Sequence, residues 1–99
     1  MSTLSNLARL APEAQKRLVE FGAPLLVTEA EGRLALAERK ITAFEQKHVT
    51  TLAQIQQNGL PEDASVEMHE DFVEWLGWQR TYTESSQILA ALKPLLENR

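Results

Sequence analysis

The sequence predicts an all-α protein, a helical hairpin or small helical bundle with coiled-coil-like long helices, which we expect to dimerise. No stretch alternates apolar and polar residues as a strand does, and apolar residues recur at spacings of four and three over two long stretches. Gly22 and Pro24 precede the first stretch, and Gly59 and Pro61 separate it from the second. At 99 residues the chain is one domain, residues 1–99, with a modest core. Association would add apolar burial that the monomer lacks.

Residues 1–22 are expected to form an N-terminal helical segment. Pro12 suits the first turn of a helix, and the charge of Glu13 beside it is favourable at that position. Gly22 followed by Pro24 is a typical signal for the end of a helix. We therefore expect a break in the chain before the first long helix.

A long helix is expected over residues 28–48. Thr28 and Glu31 can form a capping box at its start. Gly32 in the first turn costs ~1 kcal/mol relative to alanine, but the rest of the segment consists of strong helix formers. One stripe of this helix carries residues at alternating spacings of four and three: Ala30, Leu34, Ala37, Ile41, Phe44 and His48.

Opposite charges border this stripe, a pattern typical of a helix that packs on another helix. The basic border holds Arg33, Lys40 and Lys47, and the acidic border holds Glu31, Glu38 and Glu45. Two arrangements are open. The helix can fold back on residues 66–82 as an antiparallel hairpin, or the stripe can join two chains. In the second case the oligomer seam consists of Leu34, Ala37, Ile41, Phe44 and His48.

Two further helices are expected downstream. A short helix over residues 51–58 is capped by Thr51 and ended by Asn58-Gly59. A long helix follows over residues 65–93, and Pro94 ends or kinks it. The apolar face of this helix changes along its length. Either the chain breaks at residues 81–86, or a continuous helix meets two neighbours in succession.

An acidic block without Lys or Arg begins the last helix. It is either a solvated face paired with basic residues of the first long helix, or a docking surface for a basic protein. Trp78 favours docking, because helical projection places it beside the carboxylates and aromatic residues anchor interfaces. The candidate partner-binding residues are Glu67, Glu70, Asp71, Glu74 and Trp78.

Composition excludes several classes of protein. The absence of cysteine excludes disulfides, thiolate metal sites and cysteine nucleophiles. A net charge of −4 disfavours generic binding to phosphate backbones, so nucleic acid is expected only through a complex. No phosphate loop, nucleophile elbow or plausible triad occurs, so we expect no enzyme, no catalytic residue and no cofactor. No signal peptide or apolar span is visible, so we expect a cytoplasmic protein without membrane contact.

One pair of residues has a spacing found in metal proteins. Glu45-x-x-His48 matches the spacing of the di-iron helical bundles. A complete site needs further inward carboxylates and a second such pair, which only a dimer would supply. No metal is expected, and a metal-binding helical-bundle dimer remains an alternative.

A family resemblance covers residues 34–79. Lys40, Phe44, Glu45 and Lys47 align with a Lys-x-x-x-Phe-Glu-x-Lys-Tyr-Gly core, with His48-Val49 in the place of Tyr-Gly. An acidic stretch leading to a tryptophan follows, at residues 70–75. In these motifs the chain resembles the small helical antitoxins encoded beside TumE-type toxins. The resemblance implies a non-catalytic protein that binds and neutralises a partner toxin, a nuclease, and that can join it in repressing their operon. The alternative is a structural or adaptor coiled-coil homo-oligomer.

Overall fold

The computed structural model describes residues 11–97, except the side chains of residues 18 and 19. The chain is all-α, as predicted: 87% of this range is helical and none of it forms a strand. The helices are α1 (Pro12–Arg17), α2 (Ala23–His48), α3 (Leu52–Asn58) and α4 (Val66–Glu97), and a π-helical turn (Leu18–Gly22) joins α1 to α2. The part of the predicted N-terminal segment before residue 11 lies outside the described residues.

The helices α2 and α4 pack side by side as an antiparallel hairpin. Lys40 contacts Trp78 and Lys47 contacts Asp71, so residue numbers rise along α2 as they fall along α4. The molecule measures 59 × 22 × 19 Å, so it is elongated along the helices, the longer of which spans about 48 Å, and has the width of a helix pair. The hairpin that the sequence left open as one alternative is therefore the observed arrangement.

A line of small residues allows the two long helices to approach each other closely. The buried residues of α2 recur at every seventh position: Ala23, Ala30, Ala37 and Phe44. Ala37 has 0% of its surface exposed. Because the distance between packed helices depends on the side chains at the contact, an alanine line brings the helix axes near.

The densest part of the core lies at the closed end of the hairpin. Phe44, Leu52, Ile55 and Trp75 form one buried cluster there, and α3 supplies two of its four members. Partly buried apolar side chains surround it: Ile41, Leu60, Met68, Phe72, Leu76 and Trp78. Toward the open end the buried residues of α4 are Ser85, Leu89 and Leu92. The short helix thus closes the core that positions the first half of α4.

The predicted start and end of α3 are confirmed. The Thr51 hydroxyl accepts a hydrogen bond from the Gln54 amide at 3.2 Å, and the Gln54 side chain accepts one from the Thr51 amide at 3.2 Å. This reciprocal pair is a capping box. Gly59 has φ +77°, a conformation that favours glycine, and its amide donates to the carbonyl of Ile55.

The predicted start of the first long helix is wrong. The helix α2 begins at Ala23, and the Thr28 hydroxyl donates to the Pro24 carbonyl at 3.1 Å, within the helix. Thr28 therefore caps nothing, and the capping box with Glu31 does not form. The physical reason is that Pro24 lies in the first turn, where a proline loses no intrahelical hydrogen bond. The Gly22–Pro24 signal marks a new start that follows the π-helical turn without a break.

The helix α4 is continuous from Val66 to Glu97, so the predicted end at residue 93 is wrong. Residues 81–86 are helical, and the hydroxyls of Thr81 and Thr83 donate to the carbonyls of Gly77 and Gln79 within α4. These bonds occupy the polar groups that made the segment resemble a break. Pro94 lies in the last turn of the helix, so the one hydrogen bond that its missing amide removes weakens only the helix terminus.

Candidate partner-binding surfaces of the hairpin

The position of Trp75 shows which side of α4 faces α2 and which side faces away from it. Its side chain is 0% exposed and packs against Phe44 and His48 of α2. The imidazole of His48 lies 6.1 Å from the indole, centroid to centroid, with 21° between the planes. Trp75 therefore points at α2, and residues on the opposite side of α4 face away from the hairpin.

A charged cluster joins the two helices beside Trp75. The Lys47 ammonium lies 2.7 Å from carboxylate oxygens of both Glu67 and Asp71. His48 Nε2 lies 2.8 Å from the same Asp71 oxygen, and it donates this hydrogen bond because an ionised carboxylate only accepts. Two of the predicted partner-binding carboxylates are thus bound to α2 of their own chain.

These contacts shift the pKa of both central groups. Hydrogen bonds from Lys47 and then His48 lower the pKa of Asp71 below its ordinary value of 3.8. Hydrogen bonds to Asp71 and then Glu67 raise the pKa of Lys47 above its ordinary value of 10.5. Both shifts favour the charged forms, so the Lys47–Asp71 ion pair persists over a wide range of pH.

The predicted position of Trp78 needs a correction. The indole is half-buried, packs against the core cluster and lies under the Lys40 ammonium, 5.8 Å from the ring centroid to Nζ. It is not an exposed ring on an acidic surface. The projection of one helix located Trp78 beside Glu74 but could not show that the basic edge of α2 crosses the indole.

The five predicted partner-binding residues therefore separate into two groups. Glu67, Asp71 and Trp78 contact Lys47 or Lys40 of α2. Glu70 and Glu74 are exposed, and no basic side chain among residues 11–97 forms an ion pair with either. Of the four predicted partner-binding carboxylates, Glu70 and Glu74 are therefore the two that are not bound to α2.

The outward side of α4 holds a surface that the sequence analysis missed. Val66, Glu70, Val73 and Gly77 recur at spacings of four, three and four and are all exposed; we call these residues the outer ridge. Val66 and Val73 have 73% and 69% of their surface exposed. Helical spacing places the ridge opposite Trp75, away from α2. The same four-three pattern that located the buried stripes would have found it, had exposed valines been sought.

The predicted oligomer seam lies largely against α4. Ala37 and Phe44 are buried within the chain, while Leu34, Ile41 and His48 are half-buried along one border of the helix pair. A groove beside that border is lined by Glu38, Ile41, Thr42, Gln79 and Tyr82. The role of these residues in joining two chains stays a prediction.

Two further expectations concern metal binding and membrane contact. His48 is bonded to Asp71, and the described residues contain no group of three or more His, Cys, Asp or Glu side chains placed to hold a metal ion. None of the helices between residues 11 and 97 has the length and the apolarity needed to cross a bilayer.

Comparison of the chain with protein-family models, with curated proteins and with solved structures gives no match. The surfaces of the hairpin are therefore the basis on which a function is proposed.

Proposed function

We propose that this chain is a non-catalytic protein-binding module of antitoxin type, which binds and neutralises a basic partner toxin. The outer ridge of α4 is the contact surface. The observation that carries the proposal is the pair of exposed valines, Val66 and Val73, on either side of the exposed carboxylate Glu70.

The valines have no role within the hairpin. They face away from α2, so they add nothing to the core, and valine is a weaker helix former than alanine because its χ1 rotation is restricted. A single exposed apolar residue is ordinary, but two on one ridge of one helix form a small apolar strip. Such a strip gains free energy when a partner covers it.

The charges beside the strip indicate the chemistry of the partner. Glu70 lacks a basic partner among the described residues, so a positively charged surface would satisfy it. A nuclease that binds the phosphates of RNA presents such a surface at its active site. An antitoxin that covers this site with carboxylates would exclude the substrate.

The backbone at Val49 adds support to the family resemblance. Val49 has φ +51° and ψ +44°, the left-handed conformation that glycine adopts most easily. It occupies the position of the glycine in the Tyr-Gly pair of the antitoxin core. Val49 thus has, at that position, a backbone conformation that favours a glycine such as the motif carries.

A toxicity assay tests the proposal. The product of the gene next to that of this chain, for which we expect a small basic protein, is expressed alone, with this chain, and with the variant Glu70→Arg/Val73→Arg. We expect the neighbour alone to arrest growth and the unaltered chain to restore it. The variant should fail to restore growth, because it replaces an acidic and an apolar contact with two cations. Purified proteins should show the same order in a pull-down, and circular dichroism should show unchanged helicity.

The matched control is Glu31→Arg/Ala35→Arg on α2. It makes the same change of charge at two exposed positions four residues apart, away from the outer ridge. This variant should rescue growth as the unaltered chain does. Equal rescue by both variants would exclude the outer ridge as the contact surface. A harmless neighbour that the chain does not bind would leave the adaptor role as the better explanation.

A further inference from the structure

The chain as a whole exposes more surface than a compact folded protein of its mass usually does. Its accessible surface is 7190 Å². A compact monomer of 11.1 kDa would expose roughly 5,700 Å². The surplus of about 1,500 Å² exceeds the ~800 Å² that each partner contributes to an interface of standard size. Two long helices leave both lateral sides of the hairpin uncovered, so a partner can lie along its length.

One lateral side carries exposed apolar residues near its middle. The contact between Lys40 and Trp78 identifies the edges of α2 and α4 that share this side. Leu36 lies one turn before Lys40, and Ile88 follows Glu74 by two heptads on the edge of α4 next to Trp78. Each of these two apolar residues is 37% exposed. We call this side, with Leu36, Lys40, Trp78 and Ile88, the lateral face.

The charges along the lateral face are self-complementary. Lys47 and Glu67 on these edges are already paired with each other, whereas Lys40 on the α2 edge and Glu74 on the α4 edge form no ion pair within residues 11–97. A two-fold axis parallel to the hairpin places α2 of one copy on α4 of another, so edges of opposite charge meet. A two-fold axis across the helices places α2 on α2, so like charges meet. The charge pattern therefore favours the parallel axis.

We propose that a second copy of this chain packs on the lateral face and forms a four-helix bundle whose two-fold axis runs parallel to the hairpin. Leu36 of each copy lies toward Ile88 of the other, and Lys40 lies toward Glu74 of the other. This interface replaces the predicted seam, because Ala37 and Phe44 of that seam already pack on α4 of their own chain. The outer ridge faces away from the lateral face, so the dimer forms whether or not a toxin binds.

Charge reversal tests the orientation of the two copies. Sedimentation equilibrium should give the unaltered chain twice the 11.1 kDa mass of the monomer. Lys40→Glu and Glu74→Lys each place like charges at two symmetry-related positions, so each should raise the dissociation constant about tenfold or more. An equimolar mixture of the two variants should restore tight association as a one-to-one heterodimer. Both side chains are exposed, and circular dichroism checks that each variant folds.

Three results of that experiment would overturn the proposal. The unaltered chain could sediment as a monomer, which would show that the lateral face is bare or covered by another protein. The single reversals could leave the dimer unchanged. The mixture could fail to associate, which would show that Lys40 and Glu74 do not face each other across the interface.

Cross-linking tests the apolar part of the interface. The chain has no cysteine, so single cysteines can be introduced without other changes. Leu36→Cys and Ile88→Cys, made as separate proteins and mixed, should give a covalent dimer with a short bismaleimide. The control mixture of Leu25→Cys and Val73→Cys, both exposed and away from the lateral face, should give far less. Equal yields from the two mixtures would mean that the copies do not meet on this face.

Discussion

The indole of Trp75 lies nearly parallel to the ring of Phe44, with 5.6 Å between the ring centroids and 20° between the planes. This distance is within the range of offset-stacked aromatic pairs, which contribute free energy beyond the area they bury. The pair joins α2 to α4 at the closed end, beside Leu52 and Ile55 of α3. The cluster around this pair therefore joins three helices. Because Trp75 points into it, the outer ridge on the opposite side of α4 faces away from the hairpin.

Replacing Trp75 should therefore destabilise the hairpin more than any other single truncation. Trp75→Ala should lower the free energy of unfolding by about 3–5 kcal/mol, because it removes the largest buried side chain and leaves a cavity. Trp75→Phe should cost about 1–2 kcal/mol, because it keeps an aromatic ring and removes an indole N–H that has no acceptor among the described residues. Urea unfolding followed by circular dichroism measures both. A Trp75→Phe loss as large as that of Trp75→Ala would contradict this account.

The helices and their buried stripe could be predicted because their signals are local. The four-three spacing fixes the buried stripe of α2, and the Thr51–Gln54 capping box fixes the start of α3. Each depends on residues a few positions apart, so the rest of the chain need not be known. The choice between a hairpin and a two-chain coil could not be made, since both bury the same stripe.

The boundaries and the site depended on contacts between distant residues. Gly22 and Pro24 are compatible with the end of one helix or with the first turn of the next. Ala23 is buried as the first member of the alanine line of α2, which is compatible only with the first turn of that helix. The position of Trp78 was also ambiguous. An ideal projection assigns each residue an angle on its own helix, whereas exposure depends on the Lys40 side chain of another helix. Sequence spacing identified the edge of α4 on which Trp78 lies, but it could not show that the Lys40 side chain covers the indole.

The alanine line predicts that an enlarged side chain at its centre will force the helices apart. Ala37→Leu should destabilise the chain by about 1–3 kcal/mol, because the site is completely buried and has no space for three added carbons. Ala35→Leu on the exposed side of the same helix is the matched control and should be nearly neutral. Thermal unfolding of the two variants measures the difference. Equal stability would mean that α2 and α4 are not closely packed at Ala37.

The left-handed backbone at Val49 predicts a stabilising substitution. Val49→Gly should raise the free energy of unfolding by ~1 kcal/mol, since a β-branched residue with positive φ is strained and 88% of this side chain is exposed. The same change at Val73 within α4 should instead lower it by about 0.5 kcal/mol through lost helix propensity. Chemical unfolding should therefore separate the two variants in opposite directions. Destabilisation by both would show that Val49 makes a contact that offsets its strain.

The charged cluster predicts how stability changes in acid. The pKa of Asp71 is lower in the folded chain than its ordinary value of 3.8, because the carboxylate accepts hydrogen bonds from Lys47 and His48. Its contribution to stability is therefore present above pH 3.8 and is lost as the pH falls through that value toward the folded pKa. Asp71→Asn should be less stable than the unaltered chain at neutral pH and should show a shallower loss of stability in acid. Urea midpoints measured across this range test it, with Glu31→Gln, which leaves the cluster intact, keeping the original slope. Parallel acid profiles for the unaltered chain and Asp71→Asn would show that this carboxylate does not link α2 to α4.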